Sequence, residues 1–567
     1  MTEPGLGRPW SPLERRLAGL ILLLAAAFWV PRLQGPLDLR YDAGVYYILG
    51  RSLAEGRGYR LLNEPGAIEA IQYPPVLPAV AALHQLVLGT SDPVVVGQGL
   101  RLTMALLFLG YAFAAFALAR RYLPPGFAFA AALLAILNAQ VLFLSDYFAA
   151  DLPYTAVSTF FFVAPPGLAA AALGVAAFGL RTAGVALLVA WAAQSLLRRR
   201  WRAAASRVAV GVAAVGSWQA YVHHVKSGAE FAQPAYSYQR AAYQFYNVAY
   251  AENMSYVDPF RPELGMAGRQ DLLDRLGTNL RAIPTALGEA ATLQRGWFVG
   301  EVARVRERFP TLAPPDWMIS ATLGILSAVV LGGLVLLARG GHWLLVLYVA
   351  GSIALIVVTP WPGQFGRYLV PLAPILALAF ISVPAAVAAR ARRSGTRGWR
   401  VAALAGHALI AVVLVQEVYT VYKVFTKHHQ PAVMTDASGR THHYRLFFYD
   451  PTWRMHDDGL DWLGRQQLHR GTIATSTPHL AYLRTGMPAV MPPYEIDPAK
   501  AAELMAGVPV TYLVVDQLSF LDVSRRYGAP VAHWAVDEWP LVYATNDSGP
   551  RIYRRPGVNT APSVGSK

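Results

Sequence analysis

Long apolar stretches alternate with short polar ones along most of this chain, and the clearest are Leu17 to Val30, Met104 to Ala119, Phe127 to Leu144 and Ile319 to Ala338. Runs approaching the roughly 20 residues that cross a hydrocarbon core predict membrane helices. From Thr426 onward the pattern shortens into alternating segments rich in Asp, His and Pro. There the periodicity predicts strands over Thr472 to Thr475, Val510 to Val515 and Leu541 to Ala544, and helices over Asp461 to Leu468 and Ala499 to Ala506. The expected division is a membrane module over 1–425 and an α/β domain over 426–567.

The arginines punctuate the apolar runs. Arg8, Arg15 and Arg16 precede the first; Arg120 and Arg121, then Arg198, Arg199, Arg200, Arg202 and Arg207, then Arg390, Arg392, Arg393, Arg397 and Arg400 fall between later ones. Short basic segments next to spans mark the cytoplasmic side. Val30, Pro31, Arg32 and Leu33 read as the end of an uncleaved first span. With the clusters inside, outer loops fall at about 34–97 and 223–316, Ser145 to Asp151 reach the outer face, and a last span from about Val401 to Tyr419 delivers the C-terminal part outside. Between Asp151 and Arg198 the number of crossings must be odd. Three crossings there would each be short, with breaks around Pro165, Pro166 and Arg181. The expected fold class is a mainly α integral membrane protein of the cytoplasmic membrane, with about 11 transmembrane helices, outer-face loops and the C-terminal α/β domain.

Composition narrows the function classes. Of 567 residues, 15% are charged and 55% hydrophobic, whereas soluble proteins carry about 25% charge, so disorder, a collagen-like fibre and an ordinary soluble enzyme are excluded. The net charge of +15 is mostly an orientation signal, because no aromatic-interleaved basic stripe or zinc-finger spacing points to nucleic acid. There are no cysteines, which removes disulfides, thiolate metal sites and cysteine nucleophiles. A Gly-rich phosphate loop, an HExxH motif and a nucleophile elbow are all missing from the sequence, so nucleotide hydrolysis, metalloprotease and serine hydrolase chemistry have no support.

Ion-coupled transporters place acids near the bilayer midplane. Here the acids gather instead at the outer ends of spans: Asp38 and Asp42 after the first, Asp146 and Asp151 after the third, with Arg367 and Tyr368 opening a later one. In the predicted topology one site can collect them. Tyr41-Asp42-Ala43-Gly44-Val45-Tyr46-Tyr47, continuing through Arg51-Ser52-Leu53-Ala54-Glu55-Gly56-Arg57-Gly58-Tyr59, resembles the first outer loop of polytopic C-type (GT-C) glycosyltransferases, in particular the protein O-mannosyltransferase and aminoarabinose transferase group. Tyr73-Pro74-Pro75, Asp151-Leu152-Pro153, Arg181-Thr182-Ala183-Gly184 and Arg367-Tyr368-Leu369-Val370-Pro371-Leu372-Ala373-Pro374 extend the resemblance over about residues 10–420.

The resemblance implies inverting transfer of a sugar from a polyprenyl-phosphate-sugar donor to an acceptor at the outer face of a lipid membrane. Such a reaction needs a base for the acceptor hydroxyl and cations for the departing phosphate. By the family pattern Asp42 is the base, Asp151 a second acid that orients the acceptor or holds a metal, Arg367 and Arg181 bind the donor phosphate, and Tyr46, Tyr73 and Tyr368 line the substrate. Many relatives carry a glutamate after the loop aspartate, where this chain has Ala43. Asp38, four residues before Asp42, shares its face if both are helical and is the candidate substitute.

Plainer readings stand beside these. Asp42 and Asp151 both suit helix capping, and Arg367, Arg181 and Arg101 suit anchoring at headgroups. The tyrosines, including Tyr236, Tyr238, Tyr243, Tyr246, Tyr250 and Tyr256 of the second outer loop, suit an interfacial belt as well as sugar stacking. A divalent metal through Asp42, Asp151 or His224 stays open, while the pairs His223-His224, His428-His429 and His442-His443 lack chelating spacing. The alternative class is a non-enzymatic polytopic transporter or envelope assembly protein.

Overall fold

The computed structural model describes residues 9–292, 294–312, 314–466 and 471–556. Arg8 of the first arginine group and the end of the helix expected up to Leu468 lie outside them. The chain divides into two compact units, the first made of Met1–Gln34, Arg101–Gly216 and Leu272–Lys427, the second of Gly35–Leu100, Ser217–Asp271 and His428–Lys567.

Ten helices cover the first part of the chain, apart from short 3-10 turns: α1 Pro12–Trp29, α2 Ala43–Ala54, α3 Val76–Leu88, α4 Pro93–Ala119, α5 Pro125–Leu137, α6 Ala139–Ser145, α7 Asp151–Val163, α8 Leu168–Leu180, α9 Val185–Leu197 and α10 Trp201–Lys226. Among the described residues four helices are long and apolar enough to cross a membrane: Pro93–Ala119, Trp317–Arg339, Pro362–Ser394 and Arg397–His428. A fifth arises if α5 and α6, bent by 53°, form one span. The protein is an integral membrane protein with a mainly helical fold.

The expected count of about eleven is not reached on length and composition. The first apolar run does form α1, but Glu14, Arg15 and Arg16 sit in its opening turns. Ala203 to Val222 is helical within α10, yet interrupted by polar residues such as Arg207 and Gln219. Several other apolar helices are short, namely α3, α8, Thr182–Leu197 and Trp343–Ile356. Of these, α3 directly follows Tyr73-Pro74-Pro75, inside the expected first outer loop.

Local chemistry explains the first unit's breaks. Ser11 and Glu14 close a capping box at the start of α1, satisfying backbone donors that the first turn leaves bare. Asn138 separates α5 from α6: its Oδ1 accepts from the Gln140 and Val141 amides at 3.0 and 3.1 Å, and its Nδ2 donates to the Ala290 carbonyl at 3.0 Å. Between Asp151 and Arg198, where short crossings are expected, the chain forms three short helices, α7, α8 and α9, each of 13 residues and so about 20 Å long. Ala164-Pro165-Pro166 ends α7, since a residue before proline is pushed out of helical geometry. Arg181 adopts an extended backbone between α8 and α9. The turn that follows needs Gly184, because a β-carbon there would meet the Phe178 backbone nitrogen at 2.6 Å.

Among the described residues, the named strands all lie in the second unit. An antiparallel hairpin joins β1 (His429–Thr435) to β2 (Thr441–Phe447). A five-stranded mixed sheet in the order β4-β3-β5-β7-β6 comprises β3 Thr472–Ala474, β4 Ala489–Val490, β5 Val510–Val515, β6 Leu541–Tyr543 and β7 Arg551–Arg554. The three strands expected from alternation appear as β3, β5 and β6, and the expected helices as parts of Pro451–Arg465 and Pro498–Ala506. Every residue of β5 is buried, as a central strand covered on both faces requires. One face packs on Trp453, Leu460 and Leu480, the other on Met505, Val531 and Trp539. Asn63 closes the β4 edge: its carbonyl accepts from the Ala489 amide at 2.7 Å and its side chain donates to the Ala489 carbonyl at 3.0 Å. A paired edge no longer offers a template to foreign strands.

Candidate active site

In the first unit Asp151, Arg181 and Arg367 come together from three separate segments. Asp151 opens α7, Arg181 occupies the extended break before α9, and Arg367 lies in the short helix Phe365–Leu369. Arg367 donates from Nε and Nη2 to Asp151 Oδ2 at 3.2 and 3.1 Å, and Arg181 Nη1 donates to Oδ1. The Arg181 guanidinium also lies 5.5 Å from the centroid of the Tyr368 ring. Four residues singled out in the sequence therefore form one cluster. Its carboxylate side chain is 1% exposed while the two arginines are 21% and 22% exposed. The two cations are thus the partly exposed members of the cluster.

Asp151 does not cap its helix, since the N-cap of α7 is Ala150. Its buried carboxylate is spoken for on both oxygens by guanidiniums, and that donor set does not suit a metal ion. Among the described residues no three His, Asp or Glu side chains converge in a way that could hold one.

A second carboxylate cluster in the same unit was not legible in the sequence. Asp146 Oδ1 accepts from Arg32 Nε and Nη2 at 3.2 and 3.0 Å and from Arg101 Nη1 at 3.3 Å. Arg101 also donates to the Arg32 carbonyl at 2.6 Å, and Arg32 stacks over Trp29 at 4.1 Å. Arg101, expected to anchor at headgroups, is instead buried inside the helix bundle.

In the second unit Asp42 sits on the turn before α2. It occupies the N-cap position, yet its side chain makes no capping hydrogen bond, so the capping role anticipated for it is not the one it plays. Tyr246 donates its hydroxyl to Asp42 Oδ1 at 3.4 Å. His479 packs edge-on against Tyr246 at 4.5 Å between centroids, and Tyr73 bridges Tyr246 at 6.5 Å and Tyr46 at 4.8 Å. Tyr46 and Tyr73 thus share one aromatic cluster with Asp42's hydrogen-bond donor. Burial holds the His479 imidazole down to about 3, so this ring is neutral at physiological pH.

Tyr41, the residue before Asp42, has φ 55°. A bulky side chain in the left-handed region costs on the order of 1–3 kcal/mol and persists only where the surroundings enforce it. Tyr41 is clamped edge-on by Trp453 at 5.4 Å and Phe520 at 5.1 Å. Behind it, Arg40 holds both oxygens of Asp38 at 2.7–3.1 Å and donates to the Phe447 and Phe448 carbonyls at 2.7 and 3.1 Å. Asp38 lies outside any helix and is committed to Arg40, so it does not share a helical face with Asp42 or stand in for the missing glutamate. Tyr246 and His479 were the partners that sequence reasoning missed. Tyr246 had been visible as one of many tyrosines; nothing marked His479.

No protein-family model matches the chain, and no curated protein sequence matches it. Among solved structures, it is similar to ArnT from Cupriavidus metallidurans bound to undecaprenyl phosphate, at 13% identity over 96% of this chain and 99% of that one, with a TM-score of 0.44. It is likewise similar to the apo state of ArnT from the same organism, at 14% identity over 95% of this chain and 98% of that one, with a TM-score of 0.37.

The histidine pairs divide among elements. His223 and His224 close α10, while His442 and His443 sit in β2, where His442 meets Asp436 at 2.9 Å. His428 and His429 lie at the junction into β1.

Proposed function

We propose that this chain is a membrane glycosyltransferase that moves a sugar, with inversion, from a polyprenyl-phosphate-linked donor to an acceptor at the outer membrane face. The observation that carries the reading is the Asp151 cluster: a buried carboxylate aims two partly exposed guanidiniums, whose planar forks match a phosphate.

In the reaction the acceptor oxygen attacks the anomeric carbon as the bond from that carbon to the phosphate oxygen breaks. Asp42 takes the acceptor proton; its Tyr246 partner fixes the carboxylate. Arg181 and Arg367 neutralise the charge that develops on the departing polyprenyl phosphate. Asp151 acts through them, by holding both arginines in place. Tyr368 backs Arg181, and Tyr46 and Tyr73 offer ring faces for the sugar.

The test is release of free polyprenyl phosphate from a panel of polyprenyl-phosphate-sugars by reconstituted protein supplied with native membrane extract. Wild type releases carrier with at least one donor, and Asp42→Asn, equally folded, loses about 100-fold or more in rate. If neither protein releases carrier from any donor while both are folded, the enzyme reading fails and the transporter or assembly class replaces it.

A further inference from the structure

The parallel strands of the second unit are connected as in a doubly wound α/β fold. From β3 the chain passes through the helix Pro478–Thr485 to β4 on one side, then returns through Pro498–Ala506 to β5 on the other. Leu480 of the first helix covers one face of the sheet and Met505 of the second covers the opposite face. Where connections leave a central strand in opposite directions, the carboxyl ends of the strands open a crevice, and α/β proteins bind ligands there. In this chain that crevice lies between the ends of β3 and β5.

Its floor is closed on itself. Asp516, just past β5, accepts on Oδ2 from Ser476 and, at 2.7 Å, from Ser524, and on Oδ1 from the Leu518 amide at 3.0 Å. His456 meets Thr477 Oγ1 at 2.8 Å, and all these side chains are buried. Above them sits the segment 38–44, which carries Asp42. Tyr41 packs into the hydrophobic core of that face, between Trp453 at the start of the helix Pro451–Arg465 and Phe520 beyond the end of β5. Arg40 runs along the same wall, 5.3 Å from the Tyr449 ring and 4.9 Å from Trp453, to the Phe447 and Phe448 carbonyls. Tyr41 and Phe448, at φ 55° and 51°, both hold a backbone conformation that bulky residues keep only where their surroundings impose it.

Beyond the turn, α2 packs against the helix Pro478–Thr485. The approach needs glycine at position 44, because a β-carbon there would lie 3.0 Å from His479 Cβ and 3.2 Å from the Leu39 carbonyl. His479 Nε2 is buried and makes no hydrogen bond, so the ring acts by shape, edge-on against Tyr246, the hydroxyl donor to Asp42. We propose that the strand-end crevice holds the Asp42 turn as an intramolecular ligand, with Tyr41 as its anchor and His479 as the positioning residue that seats Tyr246 beside Asp42. The positioning role rests on Asp42 being the base of the proposed transfer; the holding of the turn does not.

The experiment compares the full chain, reconstituted in lipid, as wild type, Tyr41→Gly, Tyr41→Phe, His479→Ala, His479→Phe and Gly44→Ala. It reads amide hydrogen exchange over residues 40–47 together with kcat and KM for polyprenyl phosphate release. Tyr41→Gly removes the anchor and its backbone constraint, so exchange across the turn rises about tenfold or more, and kcat falls about 30-fold with KM for the donor unchanged within about twofold. Tyr41→Phe, which keeps the ring, recovers kcat to within about threefold of wild type. His479→Ala lowers kcat about tenfold at constant KM, and His479→Phe restores most of it, since the ring is used and its nitrogen is not. Gly44→Ala, although alanine is the better helix former, lowers kcat about fivefold by crowding His479; should Tyr41→Gly not fold, this variant carries the exchange test. Unchanged exchange over 40–47 in the variant that folds overturns the holding of the turn. Faster exchange with unchanged kcat, or His479→Phe as slow as His479→Ala, overturns the positioning role. If wild type turns over no donor, the glycosyltransfer reading fails and takes the positioning role with it, while exchange alone decides whether the crevice holds the turn.

Discussion

Two clusters in the first unit are built from the same ions, one aspartate between two arginines, and treat water oppositely. At Asp146 the side chains of Arg32, Arg101 and the aspartate are 0%, 1% and 2% exposed. At Asp151 the carboxylate is as deeply buried, but Arg181 and Arg367 keep about a fifth of their surface. A sealed cluster has spent its charge on internal neutralisation and on carbonyls, and serves to hold helices in register. The open one keeps its two cations partly exposed. Exposure of the cations, not the count of ion pairs, is what separates a structural cluster from one able to take a phosphate.

The largest effect that would break this comparison is expected at the sealed cluster. Asp146→Asn strands two buried guanidiniums and should destabilise the protein by about 3–5 kcal/mol, seen as a large fall in the thermal midpoint or loss of folded protein on extraction. If Asp146→Asn proves no more damaging than Asp151→Asn, the distinction between sealed and open clusters is wrong.

The sequence pattern gathered Asp146, Asp151 and Arg367 at one site, whereas Asp146 has its own partners, Arg32 and Arg101, in a separate cluster. Asp151, Arg181 and Arg367 were each picked out, and their convergence joins positions 30 and 216 residues apart. The Asp146 partners were misjudged because an arginine near a span end looks the same in sequence whether it turns outward to headgroups or inward to an acid. Periodicity did better in the C-terminal part: β3, β5 and β6 fall where the sequence pattern put them. Span lengths were harder where no proline or arginine marks the break: the Asn138 cap divides Phe127 to Leu144, which composition alone reads as continuous.

The second prediction sharpens the open cluster. Arg367→Ala should lower kcat/KM for release of polyprenyl phosphate about 100-fold with little loss of stability, measured in the reconstituted release assay. Arg367→Lys should lose about tenfold, since the charge stays while the two-pronged contact goes. Asp151→Asn should then cost about 1–2 kcal/mol in unfolding, less than its sealed counterpart because the freed arginines reach water, together with about a tenfold loss in rate.

The smallest expected effect comes from salt. Raising ionic strength from about 0.05 to about 0.5 M shortens the screening length severalfold, so KM for the donor should rise about twofold. Over the same range the thermal midpoint, supported by ions that solvent does not reach, should move by no more than about 1 °C.

The three 13-residue helices α7, α8 and α9 carry a consequence for the bilayer itself. Their length of about 20 Å falls short of a hydrocarbon layer about 30 Å thick, and hydrophobic mismatch of that size is relieved by local thinning of the lipid. In the proposed reaction such thinning would bring a lipid-borne phosphate closer to Arg181, so turnover should be faster in short-chain bilayers than in long-chain ones.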